Sequence, residues 1–155
     1  VLPAPPAQVQ RALLDYSKQV GRIARLSEAR VLSRSARALF VYQRLNLPVI
    51  DDRDFTLHVR FGKDGDTRWV SYQAVTHLGP KPRDGIVRVT HHKGSWQLAP
   101  ARGGTATRLK YQLSIDLSGW LPKWLARSGA GKELPALMSA ICKLSQPNRR
   151  NGRCP

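Results

Sequence analysis

Polar side chains alternate along the segment 51–61, DDRDFTLHVRF, in a pattern suited to binding a polar ligand group or moving a proton. Successive side chains of a β-strand point to opposite faces, so Asp54, Thr56, His58 and Arg60 would share one face and apolar residues the other. This polar face either is exposed to solvent or lines part of a cavity. In a cavity, Arg60 would bind a polar headgroup or pair with an acid, because a buried unpaired charge is costly.

Other residue types that carry chemistry lack the necessary spacing. His91 and His92 are adjacent, so on a strand they point to opposite faces and do not chelate one metal ion together. Cys142 and Cys154 have neither metal-ligand spacing nor the pattern of a disulfide framework, and Cys142 fits a core position in an apolar helix. A nucleophile elbow, a phosphate-binding loop and a dinucleotide-binding glycine fingerprint are absent from the sequence. We therefore expect no metal and no cofactor.

Hydrophobic periodicity predicts the elements that position these residues. Residues 4–26 carry apolar side chains at helical spacing, and Gly21 is a point where this helix could divide. Strand-like alternation follows over residues 28–117, with hairpins at GKDGDT and HHKGS and an ordered loop or lid at LGPKPRDG. The segment 133–144, ELPALMSAICKL, then predicts a second amphipathic helix. Helices at both ends of antiparallel strands indicate an α+β fold.

The chain of 155 residues is strongly basic, with a formal net charge of +16. Its length fits one domain, which we place at residues 1–146, followed by a basic and disordered tail at 147–155. A charge of this sign attracts nucleic acids, anionic lipid headgroups and acidic partners alike. No apolar run approaches the roughly 20 residues of a membrane-spanning helix. The first predicted helix carries cations on the side opposite its apolar residues, namely Arg11, Lys18, Arg22 and Arg25. These cations form either a solvated face or a surface that docks on an anionic membrane.

Three stretches of the sequence are similar to START domains, the lipid-transfer domains related to the steroidogenic acute regulatory protein. They are DDRDFTLHVRF at 51–61, GIVRVTHHKGSWQLAP at 85–100 and GGTATRLKYQLSIDLSGWLPKWL at 103–125. The RDF element, the later VR strand, the P...GGT turn and the D.SGWLPKWL corner come in the family order at family-like distances. The corner is the most specific of these elements, and the similarity covers roughly residues 1–144.

The resemblance implies a helix-grip fold, in which a curved antiparallel sheet wraps around a long C-terminal helix and encloses a hydrophobic cavity. It implies binding of a sterol, phospholipid or other lipid there, with intermembrane transfer as an extension of that role and without catalysis. Some family members pair an acid with the arginine that we align with Arg60, and Gln43 stands at the position of that acid. The corner at 120–124 would be the hinge of the helix that closes the pocket. The expected lipid-contacting residues are Gln43, His58, Arg60, Trp124, Leu134, Leu137, Met138 and Ile141.

An enzyme of the cyclase, aromatase or hydrolase type is the alternative function, because one fold can carry many activities. Such an enzyme needs a pocket acid or base with a shifted pKa, and His58 and Asp54 are the candidates. Nucleic-acid binding is a third hypothesis, and the apolar context of the tryptophans argues against it. For the compartment, we expect a soluble or membrane-peripheral protein, periplasmic or secreted if a signal peptide precedes this sequence.

Overall fold

The computed structural model describes residues 1–123, 133–146 and Cys154. Its seven strands are β1 (Leu26–Arg34), β2 (Ala38–Leu45), β3 (Asp52–Asp64), β4 (Thr67–Val75), β5 (Ile86–Arg88), β6 (His91–Ala101) and β7 (Ala106–Asp116). They form one curved sheet in the order β1-β2-β3-β4-β6-β7, with antiparallel neighbours. β5 lies parallel to the first residues of β3, where the pairing of β3 with β4 has ended. The predicted antiparallel sheet is confirmed.

Within the described residues, three helices accompany the sheet: α1 (Pro6–Leu14), α2 (Tyr16–Gln19) and α3 (Glu133–Ser145). The helix predicted for residues 4–26 is divided at Asp15 rather than at Gly21. Gln19 explains the division, because its side-chain nitrogen donates hydrogen bonds to the carbonyls of Ala12 and Leu13 at 3.1 and 3.0 Å. The end of α1 is thereby satisfied without a continuing helix. Among the described residues, no helix combines the length and apolar character needed to cross a bilayer.

The hydrophobic core lies on one side of the sheet, which we call the inner face. Leu57 and Val59 of β3 are buried there, in one cluster with Val9 of α1 and Ile141 of α3. α3 packs mainly against α1, and α1 in turn packs on β4, β6 and β7. The helices therefore cover part of the inner face, the side of the sheet that carries its apolar residues.

The hairpin predicted at HHKGS is wrong, because β6 runs without interruption through Gly94. Gly94 pairs with Tyr72 of β4, and a Cβ atom at position 94 would lie 2.3 Å from the Tyr72 hydroxyl oxygen. The glycine therefore admits a tyrosine onto the inner face and does not make a turn. The hairpin predicted at GKDGDT is confirmed, since this segment joins β3 to β4.

Cys142 of α3 and Cys154 form a disulfide, which contradicts the expectation drawn from their spacing. Their Cα atoms are 5.7 Å apart, although the residues are separated by 12 positions in the sequence. Cys142 is fully buried in the core, as the apolar pattern of the helix predicted. The spacing of two cysteines does not fix their distance in the fold, so the sequence could not reveal this bond.

Candidate functional site

Three side chains with polar atoms lie together on the inner face, and we call them the inner polar set: Tyr72 of β4, His92 of β6 and Tyr111 of β7. The hydroxyl oxygens of Tyr72 and Tyr111 are 3.0 Å apart, so one hydroxyl donates a hydrogen bond to the other. The His92 ring meets the Tyr72 ring edge-on, with 5.3 Å between the centroids. Neighbouring antiparallel strands therefore bring three polar groups to one place in the core.

His92 carries a buried nitrogen that nothing in the described part of the chain satisfies. Its Nδ1 atom has no hydrogen-bond partner among these residues. The ring of Phe55 packs edge-on against the imidazole, with 4.5 Å between centroids. Burial, and to a lesser extent the charge of His91, lowers the pKa of His92 to about 4. His92 is therefore neutral at neutral pH, and its Nδ1 donates or accepts one hydrogen bond according to the tautomer.

The two tyrosines are also uncharged, because burial raises the pKa of both hydroxyls. Tyr111 is fixed by stacking on Trp96, with 3.8 Å between centroids and 17° between ring planes. Two hydroxyls carry two hydrogens, and the bond between Tyr72 and Tyr111 uses one of them. The inner polar set thus offers one further O–H donor beside the free nitrogen of His92.

The inner face around this set is uncharged. Gln43 is buried on it and pairs with Phe55 across the ladder between β2 and β3. The structure therefore places Gln43, one of the predicted lipid contacts, on the interior side. In the described sheet, charged residues of the inner face occur only towards the strand ends: Arg34, Arg53, Lys63 and Arg68.

The structure corrects the prediction that Arg60 and His58 contact a lipid, because both lie on the opposite, outer face. Val59 between them is fully buried in the core, so alternation directs its two neighbours outward. Arg60 is exposed, and His58 stacks on Phe40 of β2 with 4.6 Å between ring centroids. Because His58 lies on the outer face, it does not act as an acid or base in the interior.

Arg53 of the RDF element is fully buried and joins β3 to the corner after β7. Its guanidinium donates hydrogen bonds to the carbonyls of Leu117, Ser118 and Trp120 at 3.0, 2.8 and 3.3 Å. A fourth hydrogen bond, of 2.6 Å, goes to the carbonyl of Asp51. Hydrogen bonds from Arg53 therefore connect two motifs that are distant in sequence, RDF and the SGW corner.

Asp54 of the same element is buried in a second joint on the outer face. Arg88 of the VR strand donates to both carboxylate oxygens at 2.6 and 3.1 Å, and the Tyr42 hydroxyl donates to one of them at 3.0 Å. Arg88 also donates to the carbonyl of Pro80 at 2.8 Å, which ties the LGPKPRDG loop to the sheet. Asp54 thus anchors this loop, and the structure corrects its proposed role as an interior acid or base.

The residues predicted on α3 differ in burial. Ile141 is fully buried, and Leu137 and Met138 are half-buried against the core. Leu134, in the first turn of α3, is 45% exposed, and its role as a lipid contact stays a prediction. Trp124 lies outside the described residues.

An open cleft of about 1080 Å³ lies between α1, the turn joining β6 to β7, and the end of α3. We call it the basic cleft, because Asp15 is the single acidic residue among the described residues that line it. Asp15 pairs with Lys18 at 2.7 Å, and this hydrogen bond lowers the pKa of the carboxyl group. The cations lining the cleft are Arg11, Lys18, Arg22 and Lys143.

Arg25, the fourth residue predicted to contact a membrane, lies apart from the basic cleft. Its Nε atom is 2.6 Å from Oε1 of Glu133, so an ion pair joins the loop before β1 to the start of α3. A second cleft of about 510 Å³ opens beside this pair and is lined by Ala136 of α3. The charge of Arg25 is therefore already balanced within the protein.

Sequence reasoning missed the inner polar set, although a signal for it was present. Alternation in RWVSYQAV places Tyr72 on the face of Val70, and alternation in HHKGSWQL places His92 on the face of Trp96. Both Val70 and Trp96 are buried. Following the apolar face of each strand, in place of the polar face of β3, would have led to these residues.

Comparison with known proteins places the fold in a family. The START domain model matches residues 16–149. The mitochondrial steroidogenic acute regulatory protein of Mus musculus is 30% identical over 130 residues, which are 79% of this chain and 45% of that protein. The chain spans about half the length of the curated relatives it matches.

Solved structures give the same result for the fold. The STAR-related lipid transfer protein from Xanthomonas axonopodis superposes with a TM-score of 0.82 at 24% identity, over 94% of this chain and 81% of that one. The Zhui aromatase/cyclase from Streptomyces sp. R1128 superposes with a TM-score of 0.64 at 15% identity, over 96% and 92%. These identities establish a shared fold alone, whereas the family model matches most of the sequence. The chain belongs to the START domain family.

Proposed function

We propose that this protein binds one lipid molecule between the inner face of the sheet and α3, and that it exchanges this lipid with membranes. The observation that carries the proposal is the position of Leu113. This residue pairs with Gly94 on the inner face, and yet 50% of its surface is exposed. An apolar inner face that the described helices leave partly uncovered suits a hydrophobic ligand.

Membership of the START family supports the same function, because a solved structure of this fold is that of a STAR-related lipid transfer protein. A lipid site needs apolar walls and few polar groups that fix orientation. Gln43 and the inner polar set are such groups, and α3 contributes apolar walls. The lipid contacts that we assign on α3 are Leu137, Met138 and Ile141.

Native mass spectrometry of the purified protein, followed by solvent extraction, tests lipid binding. We expect one bound lipid per chain, or uptake of one from vesicles that contain sterol, fatty acid and phospholipid. Leu113→Lys should lower occupancy about tenfold, because it places a charge beside the ligand. Gln112→Lys is the matched control on the exposed outer face of β7. An empty wild type that takes up nothing, or equal occupancy in both variants, would contradict the proposal.

For exchange with membranes, the proposal rests on the basic cleft. Arg11, Lys18 and Arg22 lie there with Lys143, at a concave and exposed surface. Each Lys or Arg near an anionic bilayer contributes about 1 kcal/mol to association at low screening. The cleft is therefore our proposed contact with anionic headgroups, and the two ion-paired cations, Lys18 with Asp15 and Arg25 with Glu133, contribute less than Arg11 and Arg22.

A cyclase or aromatase is the second candidate function, and His92 is the observation that favours it. A neutral, buried imidazole beside two hydroxyls is able to accept a proton from a bound substrate. Incubation with a poly-β-ketone thioester would then yield a cyclised product that is lighter by one water. The wild type and His92→Leu should differ in this assay if the enzyme hypothesis holds, and unchanged substrate in both would remove it.

The Cys142–Cys154 disulfide supports a place of action in an oxidising compartment, because such bonds persist where thiols are not kept reduced. Thiol labelling of the protein directly after lysis in trapping reagent measures this. Two unlabelled cysteines are expected, and two labelled ones would contradict it.

A further inference from the structure

We propose that the ligand of the interior is an uncharged lipid bearing a hydroxyl group, and that His92 Nδ1 and the Tyr72–Tyr111 pair bind this hydroxyl. This inference rests on the proposed lipid-binding function and names the chemical class of the ligand. It starts from an unsatisfied atom. His92 Nδ1 is buried without a partner in the described part of the chain, and a buried polar atom left unpaired costs free energy.

A hydroxyl group fits this set better than other polar groups. Nδ1 of neutral His92 is a donor in one tautomer and an acceptor in the other. A hydroxyl group can form a hydrogen bond with either tautomer, because it has one hydrogen and two lone pairs. The remaining O–H of the Tyr72–Tyr111 pair can donate to the same hydroxyl oxygen. One ligand group would thus satisfy two protein groups whose rings are already in contact.

Charged headgroups do not fit, because the described inner face offers them no counter-charge around the set. The residues that surround the set on the inner face are apolar or neutral, including Phe55, Trp96 and Gln43. Arg53 lies on the same face of β3 two positions before Phe55, and its donors already bind four backbone carbonyls. A phosphate or carboxylate would be desolvated here without compensation, which is strongly unfavourable.

The experiment is a displacement assay with Nile red, a neutral apolar probe, on the full chain. Three competitors of equal chain length are delivered from cyclodextrin at pH 7.4: a long-chain alcohol, the corresponding alkane and the corresponding fatty acid. For the wild type, we expect the fatty acid to bind at least about tenfold more weakly than the alcohol. The alcohol should lose about tenfold in affinity in His92→Leu and in Tyr72→Phe, and the alkane less than threefold.

The controls separate the possible failures. Tyr72→Phe removes a single oxygen and keeps the ring, so it tests the proposal even if His92→Leu does not fold. His58→Leu, on the outer face, should leave all three affinities unchanged. If Nile red and every competitor fail to bind the wild type, the proposed function itself is wrong. If Nile red binds but the alcohol and alkane respond alike to both variants, or the fatty acid binds best, only the assignment of the ligand class is overturned.

Discussion

The middle of the inner face and the basic cleft differ in the charge of their polar side chains. Inside, the polar groups of His92, Tyr72 and Tyr111 are neutral at neutral pH, and burial keeps them so. In the cleft, Arg11 and Arg22 are exposed, and no carboxylate of the described residues lies within ion-pair distance of them. One small domain therefore separates a neutral interior suited to a hydrophobic molecule from a cationic surface suited to anionic partners.

Arg53 is the informative exception, because it is a cation buried at the end of the inner face. It is tolerated there since its donors meet four carbonyls, three of which belong to the corner before α3. Arg60, seven positions later on the same strand, needs no such partners because it faces solvent. The same residue type is thus a structural joint on one face of β3 and a surface charge on the other.

Replacing Arg53 by Met should have the largest effect on stability. The change leaves buried carbonyls without donors, so the free energy of unfolding should fall by about 3–5 kcal/mol. Arg60→Met is the matched control, and we expect it to change stability by about 0.5 kcal/mol or less. Urea denaturation followed by tryptophan fluorescence measures both. Similar losses in the two variants would contradict the difference drawn between the faces.

Protonation of His92 should have the next largest effect. The pKa of His92 is about 4 in the folded protein, against about 6.5 in an unfolded chain, so the unfolded state binds the proton first as the pH falls. This group therefore adds no penalty above pH 6.5, and its penalty grows between pH 6.5 and pH 4 to about 3 kcal/mol. Its neighbours with titrating groups are His91 and Tyr72, and neither supplies a negative charge in this range.

The comparison of wild type with His92→Leu isolates this effect from the other groups that titrate in acid. Unfolding free energies at pH 7 and pH 4 should show that the variant loses about 3 kcal/mol less than the wild type. A parallel pH dependence of wild type and His92→Leu would mean that His92 is solvated in the folded state.

Much of the fold follows from the sequence, because the periodicity of apolar residues is a local signal. The alternation in DDRDFTLHVRF, the hairpin at GKDGDT and the helix at 133–144 were each predicted and are confirmed. Contacts between distant segments were not predictable in this way. The bonds of Arg53 to the SGW corner and the pairing of Cys142 with Cys154 depend on how elements pack, which periodicity does not encode.

The site was predicted less well for a related physical reason. A strand that packs on one side alone turns its apolar residues inward, and for β3 these are Phe55, Leu57 and Val59. The family resemblance favoured Arg60 as an interior residue against this simpler rule. The adjacency of His91 and His92 shows that they do not chelate one metal ion together, but the role of His92 depends on which of the two faces the core.

Reversing charges in the basic cleft should weaken association with anionic vesicles. Arg11→Glu combined with Arg22→Glu should lower the affinity for phosphatidylglycerol-containing vesicles by about 30-fold or more, since two cations contribute about 2 kcal/mol. Arg60→Glu combined with Lys110→Glu changes the net charge equally and should cost less than about threefold. Sedimentation with vesicles at low salt measures both, and high salt should remove the difference. Equal losses would indicate a response to net charge and not to the cleft.

The ion pair of Arg25 with Glu133 should contribute the least, although it joins the loop before β1 to α3 at 2.6 Å. The two side chains are 28% and 43% exposed, and solvent screens a pair of this kind. A double-mutant cycle of unfolding free energies with Arg25→Ala, Glu133→Ala and the double variant should give a coupling energy of about 0.5 kcal/mol.

The same ion pair distinguishes Arg25 from the cations of the basic cleft, because a cation whose charge is balanced should add little to vesicle association. Arg25→Ala should accordingly lower that association less than Arg22→Ala, and the reverse order would move the membrane contact from the basic cleft to the start of α3.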